Sequence, residues 1–489
     1  MKKITYIFLI VFLGHLSVYG QKETSWWHFG FKSGLNFNSL SNATASDATV
    51  VPNMPQPIVG ALSTYEGCFT VSTYDGNFLF SSDGITVYDK NYNVMPNGTA
   101  LLGDPSATQS GIVIPRPGSS TQYYVVTVPA QGAPNGLRYS VVDMLLNGGL
   151  GDVVAASKNT IIKSGAVFEN IAAVPNANGE DYWLLHRLGQ TFYVFAVTAT
   201  GISSTPNQTI SSASITAVPA SAGLGELIVS SDYTKILSCS WTANQIISAQ
   251  FNNATGMVSG IQAQTIPVIT YAACFSPDNN HIYVTSGYTS PQIYHNTWSG
   301  LRAGTASTFL AYGPSNLKPG IDGRLYGIQS PGPGLRSKNL YVIMNPNAGG
   351  TVLKYFPNYL INDAYLGLPS FPAGFIRIIP KSKPFACVAH SRTYGVEIDL
   401  SGGNTPVKLE WNFGDGTSVV SQTVTLPQTE YVMKHTYSSS GLYTIVVTPY
   451  KADGTKAKII TMQANIVNCT LRSNRMTRSD LLNSKQIME

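Results

Sequence analysis

The stretch CFSPDNNHIYV, residues 274–284, contains an apolar segment, a Ser-Pro-Asp turn and a second apolar segment. The stretch LIVSSDYTKILS, residues 227–238, repeats this arrangement with a Ser-Ser-Asp turn. Proline presets the φ angle of a turn, and an aspartate side chain can accept a hydrogen bond from the backbone two residues later. Each stretch therefore predicts two antiparallel strands joined by a short turn.

Hairpins of this kind recur along the chain at intervals of about 40 to 50 residues. Residues 69–80 and 171–185 are further examples, and residues 321–326 form a shorter one. A four-stranded unit cannot bury both faces alone, so such units must stack around an axis. About seven units between residues 25 and 380 predict a β-propeller, although a solenoid or stacked sandwiches would give similar spacing. We expect residues 26–37 to complete the last blade.

The composition favours an all-β protein. Only 11% of the residues are charged, whereas Gly (45) and Tyr (27) are abundant. This suits strands joined by tight turns and disfavours long solvated helices. The formal net charge is +5, of which Lys2 and Lys3 supply two. The remaining charge is too small and too scattered for a nucleic-acid surface, so we expect no nucleic-acid partner.

Residues 1–20 have the pattern of a signal peptide. Lys2 and Lys3 precede an apolar run over residues 4–16, and small residues end the segment at Gly20. The run is too short to span a bilayer, and no later stretch reaches about 18 apolar residues. We expect cleavage after Gly20 and a mature chain without a transmembrane segment, exported to the periplasm, the cell surface or the medium. An uncleaved anchor is the alternative.

The composition changes after Pro380, where residues 380–384 are charged and flanked by proline. Leu409, Trp411 and Phe413 then alternate with polar residues, which predicts a small β-sandwich. The predicted organisation is a signal peptide (1–20), a β-propeller (25–380), a sandwich (384–469) and a C-terminal tail (470–489).

The sandwich region resembles the PKD (polycystic kidney disease) domain. The resemblance rests on WNFGDGT at residues 411–417, HTY at 435–437 and GLYT at 441–444. It implies an immunoglobulin-like module that acts as a spacer or as a protein or glycan contact. It also implies structural roles for the motif residues, with Trp411 in the core. These residues are Trp411, Phe413, Gly414, Asp415, Gly416, His435, Tyr437, Gly441 and Tyr443.

Residues 25–375 resemble the propeller of large surface proteins of Bacteroidetes. Those proteins typically carry a type B sorting domain for type IX secretion, and the resemblance implies an exported surface protein. The matching motifs are HFG (28–30), GLNF (34–37), YEGC (65–68), DG (83–84), MPNG (95–98), GDPS (103–106), TQS (108–110) and LGLP (366–369).

The sequence contains no hydrolase, metalloprotease or nucleotide-loop motif. In lactonase-type propellers, carboxylates and amides in a central funnel hold a divalent cation. Side chains that could line such a funnel here are Glu66, Asp83, Asp104, Gln109 and His186. The alternative is that these residues occupy turns and pack between blades.

Two further features bear on binding. Residues 91–109 are polar and rich in Pro and Gly, which indicates a long loop that could face a partner through Asn97 and Asp104. Asp415 could contribute to a calcium site, or it could bond its own turn backbone. Apart from that weak calcium candidate, we expect no cofactor and no metal.

The five cysteines do not suggest a zinc site or a disulfide framework, because their spacings are wide and their number is odd. Cys68, Cys239 and Cys274 are expected to be buried thiols. Cys387 and Cys469 are expected not to pair. In a sandwich the start of the first strand and the end of the last should lie on the order of 20 Å apart, whereas a disulfide needs Cα atoms within about 7 Å.

Together these features favour a non-enzymatic binding or adhesion scaffold of the bacterial cell envelope. It would contact glycan or protein through propeller loops and the PKD-like module. The alternative is a propeller-type metal-dependent hydrolase or lactonase that acts on a sugar-derived substrate.

Overall fold

The computed structural model describes residues 22–73, 76–119, 121–178, 181–287, 290–373, 378–380, 385–398, 406–426, 428–457 and 459–467. The expected signal peptide and C-terminal tail lie outside these ranges. Nearly all regular structure in the described residues is β-strand. The exceptions are the five-residue helix α1 (Trp298–Arg302) and 3-10 turns at Asn147–Gly149, Ala155–Ser157, Ala220–Ala222 and Pro346–Ala348.

Seven small antiparallel sheets follow one another along the chain. Sheet 1 contains β1 (Trp26–Phe29), β2 (Phe31–Thr44) and β3 (Val50–Ser63), and sheet 2 contains β4 (Phe69–Ser72), β5 (Phe78–Ser82) and β6 (Val87–Asp89). Sheet 3 contains β7 (Gly111–Pro115), β8 (Gln122–Thr127), β9 (Leu137–Asp143), β10 (Asp152–Val153) and β11 (Thr160–Lys163). Sheet 4 contains β12 (Ala172–Pro175), β13 (Tyr182–Leu188), β14 (Thr191–Thr198), β15 (Gly201–Ile202) and β16 (Gln208–Ser211).

The last three sheets have four strands each. Sheet 5 contains β17 (Leu227–Val229), β18 (Lys235–Ser240), β19 (Gln245–Asn252) and β20 (Met257–Thr265). Sheet 6 contains β21 (Ala272–Phe275), β22 (His281–Thr285), β23 (Gln292–Thr297) and β24 (Thr308–Tyr312). Sheet 7 contains β25 (Asn316–Pro319), β26 (Leu325–Ile328), β27 (Leu340–Ile343) and β28 (Leu353–Phe356).

The seven sheets are the blades of a β-propeller, which confirms the predicted fold. The first strand of each sheet contacts the first strand of the next, from β1 to β25. Buried apolar clusters fill the spaces between neighbouring blades, and one of them joins Trp27 and Leu35 of sheet 1 to Tyr326 and Leu340 of sheet 7. The blades therefore form a closed ring around an axial channel.

The two Ser-x-Asp hairpins have the same turn chemistry. Ser230 Oγ donates to Asp232 Oδ1 at 2.5 Å, and Ser276 Oγ donates to Asp278 Oδ1 at 2.5 Å. In both turns the serine hydroxyl also accepts a bond from the backbone N–H five residues later. These local bonds explain why the pattern could be recognised in the sequence.

The ring closes differently from the prediction. Residues 26–37 were expected to complete the last blade, but β1 pairs with β2 and β2 with β3 in a separate sheet. The reason is a tight turn at Gly30, where φ is +57°, that folds β1 back onto β2. The chain after sheet 7 instead returns to the first two blades: Phe31 N–H donates to Asp363 O at 2.9 Å and Ser370 N–H donates to Cys68 O at 2.9 Å.

We call residues 364–373 the closing strap. Leu366 N–H donates to the Tyr65 carbonyl at 3.2 Å, and Ala373 N–H donates to the Ala173 carbonyl at 2.8 Å. Between these bonds the ring of Phe371 packs against Trp27, with 6.2 Å between ring centroids. The strap therefore runs from blade 1 through the channel to blade 4.

The C-terminal region is a two-sheet β-sandwich. One sheet contains β29 (Ile378–Pro380), β31 (Arg392–Ile398) and β34 (Glu430–His435), and the other contains β30 (Phe385–Cys387), β32 (Lys408–Asn412), β33 (Val420–Thr423), β35 (Gly441–Tyr450) and β36 (Ile460–Val467). Its core includes the fully buried side chains of Leu409, Trp411 and Ile445. The alternation read from the sequence therefore points to the buried face.

The cysteine predictions have two outcomes. Cys68, Cys239 and Cys274 are buried free thiols, as expected. The argument that the first and last strands of the sandwich end far apart is wrong for the described residues, because β30 and β36 run parallel with Cys387 beside Val467. Cys469 itself lies outside the described residues.

Candidate functional site in the axial channel

The residues that directly precede the first strands meet at one end of the channel, which we call the proximal end. Gln109 lies ahead of β7, and its side-chain oxygen accepts bonds from Ile171 N–H at 3.0 Å and Leu227 N–H at 2.9 Å. One amide thus connects blades 3, 4 and 5. Glu226 N–H donates to the Tyr271 carbonyl at 2.9 Å, which adds blade 6 to the same end.

Glu169 is buried at this end and its carboxylate is fully engaged. Oε2 accepts from Thr108 N–H at 2.8 Å and from Thr108 Oγ at 3.0 Å, and Oε1 accepts from Gln131 N–H at 2.8 Å. Burial raises the pKa of Glu169, and the hydrogen bonds oppose that rise. This carboxylate fixes two loops rather than facing open space.

Glu226 and Lys318 form a buried ion pair across the channel. Lys318 Nζ lies 2.8 Å from Glu226 Oε2, and the exposed fractions of the two side chains are 9% and 1%. Asn316 Nδ2 donates to the other carboxylate oxygen at 3.1 Å. Glu226 therefore ties blade 5 to blade 7, and removing one partner would leave an uncompensated buried charge.

Glu66 is an acid at the proximal end whose pKa is strongly raised. Burial raises its pKa to about 8, and the charges of Glu169 and Asp104 add to the rise. Its Oε2 accepts a hydrogen bond from the Tyr271 hydroxyl at 2.9 Å. Glu66 is therefore held largely protonated near neutral pH.

The other predicted funnel residues have structural contacts. Asp83 Oδ1 accepts from the N–H groups of Ile85 and Thr86 at 2.9 and 2.8 Å, which makes it a turn residue, and burial raises its pKa. Asp104 Oδ1 accepts from Ser106 N–H at 2.8 Å in another turn. These geometries match the alternative that the sequence left open, in which the carboxylates stabilise turns.

His186 is fully buried on β13. Its Nδ1 lies 2.8 Å from the Asn170 carbonyl, to which it donates, and burial lowers its pKa to about 3. The ring is therefore neutral. Among the described residues, Nε2 has no hydrogen-bond partner, and no bond joins His186 to Glu66, Asp104 or Gln109.

The long loop is anchored to the propeller through Asn97. Its backbone N–H and its Nδ2 donate to the two oxygens of Asp152 at 2.8 and 2.7 Å. The next part of the loop is held by Asn159 Oδ1, which accepts from Leu102 N–H at 3.1 Å. Asn97 therefore contributes to the order of the loop, and replacing it is expected to affect stability.

Sequence reasoning missed Glu169, Glu226, Tyr271 and Lys318. Glu169, Glu226 and Tyr271 each lie just ahead of the first strand of a blade, as Gln109 does. This shared position could have identified them in the sequence. Within the described ranges, no group of three or more His, Cys, Asp or Glu side chains could hold a metal ion. The channel carboxylates instead bind protein groups.

A second feature lies beside Glu66, and we call it the mouth cluster: Phe31, Tyr65, Arg336 and Tyr365. The Arg336 guanidinium stacks on the Phe31 ring at 3.3 Å, and Tyr65 lies 5.2 Å from Phe31 and 6.0 Å from Tyr365 between ring centroids. Tyr65 is 47% exposed, and Arg336 is exposed as well. Gly334 N–H donates to the Tyr365 hydroxyl at 2.9 Å, which holds the loop that carries Arg336.

In the sandwich, the motif residues bond one another. His435 Nε2 lies 2.8 Å from Asp415 Oδ2, and its ring stacks on Phe413 with 3.9 Å between centroids. Asp415 Oδ1 accepts from Thr417 N–H and Oγ, and the Tyr437 hydroxyl donates to the Phe413 carbonyl at 3.0 Å. The Asp415 carboxylate thus bonds its own turn and the imidazole. The remaining motif positions are Gly414 and Gly416, with φ of +73° and +82°, and Gly441 and Tyr443 on β35.

Comparisons with known proteins find one domain family and several similar solved structures. Residues 380–464 match the PKD domain. A 6-phosphogluconolactonase-like protein from Bacteroides uniformis is 12% identical, with 71% of this chain and 98% of that chain covered and a TM-score of 0.41. A protein from Lactobacillus plantarum is 10% identical, with 82% and 96% covered and a TM-score of 0.37.

The PKD domain of an M14-like peptidase from a Thermoplasmatales archaeon is among the similar solved structures. That domain is 13% identical, with 19% of this chain and 97% of that chain covered and a TM-score of 0.16. No curated protein matches the chain. Within the described part of the chain, no helix has both the length and the apolar character needed to cross a bilayer.

Proposed function

We propose that the protein is an exported, non-enzymatic binding scaffold of the bacterial cell envelope that contacts glycan through the mouth cluster. The single observation that carries this proposal is the exposed Tyr65 ring beside the Arg336 guanidinium on Phe31. Tyr and Arg are enriched at binding surfaces, because they combine a large contact area with hydrogen-bonding groups. The PKD domain then acts as a spacer or second contact.

The geometry of the cluster suits a sugar ring. The exposed aromatic face can stack against the C–H face of a sugar, while the guanidinium carries five donors for hydroxyl or carboxylate oxygens. Among the described residues, no carboxylate forms an ion pair with Arg336, so the guanidinium can pair with an acidic group of a ligand. A protein partner is the alternative occupant of this surface.

The proposal is tested with purified cell-envelope polysaccharide and the full mature chain, using isothermal titration calorimetry. Tyr65→Ala and Arg336→Gln should each weaken binding about tenfold or more, with an unchanged melting temperature. Tyr312→Ala is the matched control, because Tyr312 is 66% exposed on the outer strand β24. Equal binding by all variants would refute the assignment. If the protein instead binds a protein partner, and Tyr65→Ala weakens that binding, the ligand is a protein rather than a glycan.

One observation favours the second candidate function, a hydrolase or lactonase acting on a sugar-derived substrate. Glu66 lies at the proximal end of a propeller channel with its pKa raised to about 8, and a perturbed carboxyl group in a cleft is a feature of catalytic acids. Turnover of lactones or esters that Glu66→Gln abolishes in a folded protein would establish the enzyme. If neither lactones nor esters are turned over, and Glu66→Gln binds glycan as tightly as the wild type, the result supports the scaffold.

A further inference from the structure

We propose that the axial channel contains a second binding site, which takes a neutral and mainly apolar organic molecule with a carbonyl or hydroxyl oxygen. The site is a cavity of ≈ 440 Å³ bounded by the first strands of blades 4 to 7 and by the closing strap. This volume lies within the range of small-molecule pockets in proteins. The proposal is independent of the mouth cluster.

The cavity extends to the end of the channel opposite the proximal end. Ser231 and Pro277, which line it, belong to the turns that follow β17 and β21, whereas Glu66 and Glu169 precede the first strands of blades 2 and 4. The turns of blades 5 and 6 are tied together where they border the cavity, since Asn279 Oδ1 accepts from Ser231 N–H at 3.0 Å. The opening is therefore built from ordered turns.

Most of the wall is apolar. Val229, Phe275 and Pro319 contribute from three first strands, and Phe371 and Pro372 contribute from the strap. An apolar wall favours a ligand with an apolar body, because its burial removes hydrocarbon surface from water.

Two polar groups in the wall, Ser370 and Lys318, favour a ligand that carries an oxygen atom able to accept a hydrogen bond. Ser370 is 4% exposed, and its hydroxyl has no hydrogen-bond partner among the described residues. The Lys318 ammonium donates to Glu226 Oε2, and its other N–H groups donate to no other described residue. A buried hydroxyl without a partner costs free energy that a ligand oxygen can offset.

The charge of the site sets the charge of the ligand. Lys318 is neutralised by Glu226 at 2.8 Å, and the Asp322 carboxylate accepts from the Tyr326 hydroxyl and pairs with Arg324. A free anion or cation would therefore enter without a counter-charge. A neutral oxygen acceptor can bond Ser370 and Lys318 without that cost.

The probe for this site is Nile red, a neutral apolar dye with a carbonyl oxygen whose fluorescence rises when it leaves water. We expect saturable binding at one dye per chain. Ala373→Trp should weaken binding at least tenfold, because Ala373 is a partly exposed strap residue that lines the cavity and a tryptophan there fills it. Ser370→Ala should weaken binding several-fold through the lost hydrogen bond.

The control is Ala213→Trp, which adds the same ring at an exposed position between sheets 4 and 5. Calorimetry must show that every compared variant keeps the wild-type melting temperature. If Ala373→Trp is destabilised, the dye affinities of Ser370→Ala and Ser370→Thr are compared instead. Threonine keeps the hydroxyl, so Ser370→Thr should bind the dye more tightly than Ser370→Ala. Absence of saturable binding, or equal affinity of all folded variants, would overturn the proposal. Polysaccharide binding should be unchanged by Ala373→Trp, which separates this site from the mouth cluster.

Discussion

The Tyr271 hydroxyl donates a hydrogen bond to Glu66 Oε2 at 2.9 Å and joins two residues that are 205 positions apart in the chain. The bond links blade 6 to the connection between blades 1 and 2. Burial raises the pKa of both groups, and that of Glu66 reaches about 8. The proximal end of the channel thus combines long-range contacts with an acid that ionises only at alkaline pH, and this has consequences for stability.

We predict that Glu66→Gln flattens the pH dependence of propeller stability. The folded pKa of Glu66, about 8, is above the ordinary value of 4.5, so the folded state binds its proton more tightly than the unfolded state does. The contribution of this group is most favourable below 4.5 and is lost as pH rises to about 8. At alkaline pH the variant should therefore be more stable than the wild type, by up to roughly 5 kcal/mol, since one pKa unit corresponds to about 1.4 kcal/mol.

Scanning calorimetry between these two pH values measures the effect. Asp47→Asn is the control, because Asp47 is an exposed acid whose pKa is lowered by its bond to Lys354, so it stays ionised across this pH range. A melting temperature of Glu66→Gln that changes with pH as steeply as that of the wild type would show that Glu66 is not the titrating group.

Arg187 is predicted to hold blades 4 and 5 together. The side chain is 1% exposed, its Nε donates to Ser238 Oγ at 2.8 Å and its Nη2 donates to the Cys239 carbonyl at 2.8 Å. A lysine keeps the charge but cannot reach these acceptors together. Arg187→Lys should lower the free energy of unfolding by roughly 2–4 kcal/mol.

The comparison is Arg116→Lys, at a partly exposed arginine that also bonds two groups, the Ala199 carbonyl and Gln122. Because water can replace its bonds, the loss should be below about 1 kcal/mol. Chemical denaturation of both variants gives the two values, and similar losses would argue against a special role for Arg187.

The sequence predicted what depends on local chemistry. The Ser-x-Asp hairpins are stabilised by bonds within a few residues, so their pattern was readable, and the number of blades followed from their spacing. The closing strap was not readable, because it depends on contacts such as the bond from Leu366 N–H to the Tyr65 carbonyl, 301 residues away.

In the candidate site too, long-range contacts could not be predicted from the sequence. Glu66 and Gln109, two of the predicted funnel residues, bond to neighbouring blades at the proximal end. Lys318 and Glu226 were missed, since neither residue has a partner nearby in sequence and their ion pair joins positions 92 residues apart. Asn97 looked like a free loop residue, but its bonds to Asp152 connect positions 55 residues apart. Polar residues ahead of the first strands are therefore the best sequence signal for this site.

The closing strap can be tested at Gly367. A Cβ atom at this position would lie 1.4 Å from the Glu66 carbonyl oxygen, so the strap or the blade 1–2 connection must shift. Gly367→Ala should destabilise the propeller by at least about 2 kcal/mol. Gly332→Ala is the matched control, because its new Cβ would lie 3.3 Å from the flexible end of Leu335. Equal melting temperatures for the two variants would mean that the strap does not close the ring.

Trp411→Ala is predicted to unfold the C-terminal sandwich and leave the propeller folded. Trp411 is fully buried, and its Nε1 donates to Gln422 Oε1 at 3.1 Å. Truncating a buried tryptophan costs roughly 3–5 kcal/mol, which is comparable to the whole stability of a small domain. The sandwich begins at β29, ahead of the predicted boundary near Pro384, because Ile378 pairs with Ile398. The damage should stay within the sandwich, because few contacts cross a linker between domains.

Two measurements separate the domains in the Trp411→Ala variant. Calorimetry should retain the propeller transition, and limited proteolysis should remove the residues from β29 onward while leaving the propeller intact. Val420→Ala serves as the control, because Val420 is 39% exposed on the neighbouring strand β33 and its loss should stay within about 0.5 kcal/mol. If the propeller transition disappears together with that of the sandwich, the two regions fold as one cooperative unit, since damage at Trp411 would then have crossed the proposed boundary.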